Sequence, residues 1–86
     1  MKIIKIGAMW CPACLIMNKR LKEIEKEYEI NIISYDYDLD EDIVSKYNVG
    51  EVLPELIFVN EKEEEIKRLI GEQTINNIVS IIESSC

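Results

Sequence analysis

The sequence of 86 residues contains no histidine and only three cysteines. The lack of histidine excludes a mixed Cys/His metal site and a histidine base in catalysis. Three cysteines are too few for the disulfide framework of a small secreted domain. No apolar run approaches the length of a membrane span, and we expect no signal peptide, because strand-like residues follow Lys2 directly. We therefore expect a cytoplasmic protein that has no membrane partner and whose cysteines are reduced unless they are catalytic or metal-bound.

Basic residues are also scarce, with 10 against 17 acidic residues and a net charge of −7. Such a surface repels phosphates, so we expect no nucleic-acid partner. Hydrophobic residues make up 48% of the chain and charged residues 31%, which is a globular composition. The length, together with the lack of repeats and linkers, predicts a single domain over residues 1–86 with a small core.

Two of the cysteines, Cys11 and Cys14, lie between a strand-like segment over residues 2–6 and a run with helical periodicity. The first N–H groups of a helix have no intrahelical partners, and the macrodipole adds positive charge there, which stabilises a thiolate. Residues i and i+3 share a helix face, so Cys14 can reach Cys11 and close a disulfide. Pro12 suits the first helical position. This arrangement predicts dithiol–disulfide chemistry.

The rest of the chain alternates between strand and helix patterns. Apolar residues at steps of three and four predict an amphipathic helix from Cys14 to Tyr28. Strands are predicted over 30–37, 56–59 and 65–70, a short helix after an Asp40 N-cap, and a last helix after a Thr74 N-cap. The order β-α-β-α-β-β-α predicts an α/β fold, and right-handed crossovers place the first strand in the middle with helices on both faces. We expect a four-stranded mixed sheet of strand order 2-1-3-4.

The segment from Trp10 to Cys14, placed directly after an N-terminal strand, resembles the active site of the thioredoxin/glutaredoxin superfamily. The tryptophan is more typical of thioredoxins, and the proline after the first cysteine is more typical of glutaredoxins. The resemblance covers nearly the whole chain and implies a minimal thioredoxin fold. It also implies a cofactor-free oxidoreductase of cell redox homeostasis and electron transport, which reduces protein disulfides. In that cycle an exposed Cys11 attacks and a more buried Cys14, whose thiol pKa we expect to be raised, resolves the mixed disulfide.

The resemblance further implies a substrate groove beside the cysteines. Pro54 is expected to be cis and to face them, and the backbone at Leu53 is expected to pair with an extended substrate segment. Trp10 either flanks this groove or belongs to the core. The predicted substrate-binding residues are Trp10, Pro12, Leu53, Pro54 and Gly71. The partners expected of such a monomer are disulfide-containing proteins and a reductase as electron donor.

The choice of electron donor depends on two departures from the glutaredoxin pattern. Glutaredoxins bind glutathione through a Thr-Val-Pro segment and a Gly-Gly pair. Here Pro54 is preceded by Val52 and Leu53, and Gly71 is followed by the acidic Glu72. We therefore expect a donor of the thioredoxin-reductase type rather than glutathione.

Lys5 occupies the position at which thioredoxins carry a buried acid, six residues before the first cysteine. One alternative is that its ammonium approaches the sulfurs, lowers the pKa of Cys11 and makes the couple more oxidising, with Asp36 as counter-ion. The other is that the side chain extends along the strand and reaches water.

Other interpretations of the same residues remain open at this stage. The Cys-x-x-Cys pairs of two chains would suffice for a zinc or iron–sulfur site, and the groove alone would suffice for a non-catalytic adaptor. The acidic run over residues 36–42 is interpreted as a solvated turn rather than a calcium loop, because it lacks the glycine and terminal glutamate of such loops. Cys86 is either an ordinary terminal thiol or a partner in an intermolecular disulfide.

Overall fold

One of the two inner strands of the sheet leads into the cysteine motif. A computed structural model describes residues 1–84, so Cys86 lies outside the described residues. The elements in chain order are β1 (Lys2–Gly7), α1 (Pro12–Tyr28), β2 (Asn31–Asp36), α2 (Glu41–Lys46), β3 (Glu55–Val59), β4 (Glu65–Ile70) and α3 (Ile75–Ser84). This is the predicted β-α-β-α-β-β-α order.

The four strands form one mixed sheet of order β2-β1-β3-β4, which confirms the predicted order. Strand β1 pairs in parallel with β2 and antiparallel with β3, and β3 pairs antiparallel with β4. Helices cover both faces of the sheet, so β1 is buried from Ile3 to Gly7 and is a continuous apolar run apart from Lys5.

Alternation along β1 divides the interior into two clusters. Ile3 packs with the apolar stripe of α1 and with α3, whereas Ile4 and Ile6 pack on the opposite face with Tyr47 from the end of α2. Cys11 and Cys14 belong to the second cluster. The motif therefore lies at an edge of the core, where the carboxyl end of β1 meets the start of α1.

The ends of the predicted elements differ in detail from those observed. Tyr28, the last residue of the predicted α1 stripe, is partly exposed because the helix ends there and Glu29 adopts a left-handed conformation. Strand β2 is shorter than predicted at both ends. The hydroxyl of Thr74 accepts the backbone N–H of Asn77 at 3.1 Å, which confirms it as a helix cap. Within residues 1–84, no helix is both long and apolar enough to cross a membrane.

The acidic run forms the turn between β2 and α2. The Asp36 carboxylate accepts the backbone N–H groups of Asp38 and Leu39 at 2.8 and 3.0 Å. Asp40 is the N-cap of α2, but its side chain accepts the N–H of Asp36 at 2.7 Å instead of capping the helix. These carboxylates serve to close the turn, and no group of three or more acidic or cysteine side chains in the described part of the chain converges on a metal position.

Candidate active site

Cys11 is the N-cap of α1, and Pro12 is its first helical residue, as predicted. The sulfur of Cys11 accepts the backbone N–H of Cys14 at 3.2 Å. This N–H belongs to the first helical turn and is shared with the Cys11 carbonyl oxygen at 3.1 Å, so the turn directs both a hydrogen bond and the positive end of the helix dipole at the sulfur. A thiolate formed at Cys11 is stabilised by both.

Cys11 and Cys14 are joined by a disulfide, with their Cα atoms 5.3 Å apart. Cys14 is the more buried of the two, at 2% exposure, as expected. The expectation that Cys11 is exposed was wrong, because its exposure is only 6%. The carbonyl oxygen of Leu53 lies 3.7 Å from the Cys11 sulfur and helps to cover it.

The segment around Pro54 lies against the cysteines, as the resemblance implied. The Leu53–Pro54 peptide bond is cis. The backbone N–H of Gly71 donates to the carbonyl oxygen of Pro54 at 2.8 Å, and Gly71 has a φ of +88°, a conformation that favours glycine. A β-carbon at Gly71 would lie 3.9 Å from Val52. The structure thus brings Leu53, Pro54 and Gly71 together on one side of the disulfide.

Trp10 lies on the surface beside the disulfide, with 60% of it exposed, so the alternative in which it belongs to the core is wrong. Its indole N–H donates to the Asp38 carboxylate at 2.8 Å, and its ring packs edge-to-face against the Tyr37 ring, with the two ring centroids 6.5 Å apart. These contacts hold the ring in place while its face stays open. Met9, at 87% exposure, and Val52 are also exposed next to the motif and the Leu53 segment. We call Met9, Trp10 and Val52 the apolar rim.

Lys5 is buried, with 6% exposure, so its side chain does not extend into water. Its ammonium donates to the side-chain oxygen of Asn18 on α1. Burial lowers the pKa of Lys5 below its usual value of 10.5. The prediction that Asp36 is its counter-ion was wrong, since the carboxylate of Asp36 is held by the backbone of the turn that follows β2.

Glu55, directly after Pro54, is a site residue that the sequence interpretation missed. It is 1% exposed, and its two carboxylate oxygens accept the Arg68 guanidinium and the backbone N–H of Gly50, each at 2.9 Å. It therefore ties the segment before Pro54 to β4. The sequence did contain a signal for this role, because Glu55 is an acidic residue between Pro54 and the apolar run of β3. Arg68 on the paired strand β4 is its diagonal neighbour in the sheet.

Glu72 follows Gly71 but is not a free charge. Its carboxylate forms an ion pair with Arg20 at 3.2 Å, and the same guanidinium donates to the Gln73 carbonyl oxygen at 2.8 Å. Because Arg20 neutralises Glu72, its carboxylate repels the anionic peptide glutathione less strongly. The absence of the glutaredoxin binding segments is therefore the stronger reason to expect poor glutathione binding.

The fold matches that of known proteins. Thioredoxin 1 from Thermosipho africanus superposes with a TM-score of 0.88 at 26% identity, over 99% of this chain and 93% of that one. A mutant thioredoxin from Halobacterium salinarum gives a TM-score of 0.88 at 21% identity, over 95% and 71% of the two chains. A comparison with curated protein sequences gave no significant match.

The thioredoxin family model matches residues 1–84, which is almost the entire chain. The match includes the Cys11–Cys14 disulfide at the start of α1 and the cis proline segment beside it. Together, the family model and the cysteine pair support thiol–disulfide oxidoreductase chemistry in general terms. The chain belongs to the thioredoxin family.

Proposed function

We propose that this protein reduces disulfides in other proteins through a cycle of Cys11 and Cys14 between dithiol and disulfide. The observation that carries the proposal is the disulfide between these residues at the N-terminus of α1, with a first-turn N–H directed at the Cys11 sulfur. Thiol–disulfide exchange requires a thiolate, and this position favours one at neutral pH.

Each step of the cycle exchanges one sulfur–sulfur bond for another. The Cys11 thiolate attacks one sulfur of the substrate disulfide, and the other substrate sulfur leaves as a thiolate that takes a proton from water. Cys14 then attacks the Cys11 sulfur of the mixed disulfide and releases the second substrate sulfur. The protein ends with the Cys11–Cys14 disulfide, and two electrons have passed to the substrate.

The apolar rim and the Leu53 segment are the proposed docking surface for an extended substrate strand. An extended segment that pairs with the backbone at Leu53 places its disulfide next to Cys11, because the Leu53 carbonyl oxygen is 3.7 Å from the Cys11 sulfur. Met9, Trp10 and Val52 then offer apolar contact to the substrate side chains around its cystine. The proposed compartment is the cytoplasm, where a reductase keeps such a dithiol reduced.

The proposal is tested by reduction of insulin with dithiothreitol as the electron source. The wild-type protein is expected to accelerate the precipitation of insulin chains, and Cys11→Ser to abolish the acceleration because the attacking sulfur is lost. Cys86→Ser serves as the control for loss of a thiol outside the motif. Full activity of the Cys11→Ser protein would rule out the cycle.

The proposed electron donor is a reductase of the thioredoxin-reductase type. In the segments where glutaredoxins bind glutathione, this chain has Val52-Leu53 before its proline and Glu72 after Gly71. The test compares reduction of the oxidised protein by NADPH with thioredoxin reductase and by NADPH with glutathione and its reductase. The first route is expected to be faster, and efficient reduction by glutathione would assign the glutaredoxin type of donor instead.

A further inference from the structure

We propose that the reduced protein holds Cys14, the resolving cysteine, as a thiolate paired with the ammonium of Lys5. The role of this pair in turnover rests on the proposed function, but the pair itself is a property of the reduced protein alone. It reverses the expectation that the thiol pKa of Cys14 is raised by burial.

The geometry around Gly7 brings the two groups together. A β-carbon built on Gly7 would lie 3.1 Å from the Lys5 nitrogen and 3.3 Å from the Cys14 sulfur. Both atoms therefore border the same small space, which is open because residue 7 has no side chain. In the oxidised protein Cys14 is bonded to Cys11 and carries no charge, so the ammonium faces a neutral sulfur.

The direct partners of Lys5 are neutral. Its neighbours across the sheet are Ser34 on β2 and Leu56 on β3, and its hydrogen-bond partner on α1 is the neutral Asn18. Tyr35 and Asp36 line the same cleft, but Asp36 accepts backbone N–H groups of its own turn. Among residues 1–84 Lys5 forms no ion pair.

A buried cation without an anion is costly, and the cost is relieved when an anion forms beside it. Burial lowers the pKa of Lys5 in the oxidised protein, which reflects this cost. Reduction breaks the S–S bond and leaves an electron pair on each sulfur. Beside Lys5, the charge on Cys14 is neutralised by the ammonium, so Lys5 holds the proton that would otherwise reside on the thiol.

The pair acts on the second half of the cycle, in which Cys14 is the attacking group. In the mixed disulfide, the Cys14 thiolate attacks the Cys11 sulfur, the bond from Cys11 to the substrate breaks, and the substrate sulfur leaves with the electron pair and is protonated by water. The step requires no prior loss of a proton from Cys14. A carboxylate beneath the motif would act in the opposite sense, because a negative charge disfavours a thiolate.

The test is the thiolate absorbance of Cys14 as a function of pH in a Cys11→Ser, Cys86→Ser protein, in which Cys14 is the remaining thiol. We expect a pKa about 1–3 below the free-thiol value of about 8.5. Lys5→Met in the same background is expected to raise the pKa above the free value, since burial then acts alone. Lys5→Gln is the second neutral variant if Lys5→Met does not fold, and Lys2→Met on the same strand is the matched control.

A Cys14 pKa at or above the free value, unchanged by Lys5→Met, would overturn the pairing. The proposed function is tested separately by the rate at which Cys14→Ser, with and without Lys5→Met, forms a mixed disulfide on Cys11. The rates with and without Lys5→Met are expected to be equal if Lys5 acts on Cys14, because Cys14 is absent from both proteins. A Cys14→Ser protein that forms no mixed disulfide would contradict the proposed cycle while leaving the titration result intact.

Discussion

Two charged residues are buried beneath the active site, and their surroundings differ. Glu55, under the Pro54 segment, has a cationic partner and a backbone N–H on its two oxygens. For Lys5, near Cys14, the one hydrogen-bond partner within residues 1–84 is the neutral Asn18. A buried charge whose hydrogen-bond and ionic partners are all present stabilises one arrangement of the structure. A buried cation without an anion is destabilising, and this cost falls when an anion forms beside it. Glu55 fixes the segment before Pro54, whereas the pairing proposed for Lys5 would depend on the redox state.

The largest effect expected from this contrast is on folding stability. Glu55→Leu leaves Nη1 of Arg68 and the Gly50 N–H without their acceptor, and we expect it to lower the free energy of unfolding by about 3 kcal/mol. Glu65→Leu is the matched control, because Glu65 pairs with the same guanidinium at the surface, and its loss is expected to cost less than about 1 kcal/mol. Urea unfolding of both variants measures the difference, and equal losses would remove the structural role assigned to Glu55.

The next effect is on the pH dependence of stability in the oxidised protein. The pKa of Lys5 is lowered from 10.5 by burial, so the native state loses this proton before the unfolded state does. Between the folded pKa and 10.5 the unfolded state binds more protons, and the free energy of unfolding rises with pH because of Lys5. Below this interval both states are protonated and the full cost of burial remains.

Lys5→Met should remove that rise. The free energy of unfolding of Lys5→Met should therefore exceed that of the wild type by more at about pH 7 than at about pH 10. Lys2 has a raised pKa from its pair with Glu63, so its contribution is lost at high pH, but it is present in both proteins and cancels in the comparison. Urea unfolding of the two oxidised proteins across this pH range gives the difference. Parallel stability curves would show that Lys5 is not a buried cation.

The smallest effect is expected from adding a methyl group in each region. In Gly7→Ala the new carbon would be 3.1 Å from the Lys5 nitrogen, so the flexible ammonium must move by a few tenths of an ångström. We expect a partial rise of the Cys14 pKa, measured by thiolate absorbance. Gly50→Ala is the control, because its new carbon would be at an ordinary 3.9 Å from the Glu55 carboxylate. A Cys14 pKa that moves equally in both variants would contradict the specific role of the space at Gly7.

Much of the fold could be predicted from the sequence because its signals are local. The helix start at Pro12, the strand alternation and the order of the elements depend on periodicity and capping, and the position of the cis Pro54 followed from the family pattern. The burial of Cys11 could not be predicted in this way, since it depends on the Leu53 segment, which is distant in sequence.

The charges of the site were harder to predict because each depends on competing partners. Asp36 lies on β2, next to β1 in the sheet, and was therefore predicted as the counter-ion of Lys5. Its carboxylate instead accepts backbone N–H groups of the turn that follows β2. Glu55 follows a proline and resembles a loop residue in sequence, whereas the fold buries it against Arg68. Which partner a side chain takes is decided by tertiary packing, and periodicity carries no information about it.

The most direct test of the proposed cycle is to identify the cysteine that joins the substrate. A Cys14→Ser, Cys86→Ser protein and a Cys11→Ser, Cys86→Ser protein are each mixed with an oxidised peptide disulfide, and the adducts are measured by mass spectrometry over time. We expect a rapid, long-lived adduct on Cys11 in the first protein and a far slower one on Cys14 in the second, because the proposed docking segment at Leu53 lies against Cys11. Equal rates in the two proteins, or no adduct on Cys11, would contradict the cycle.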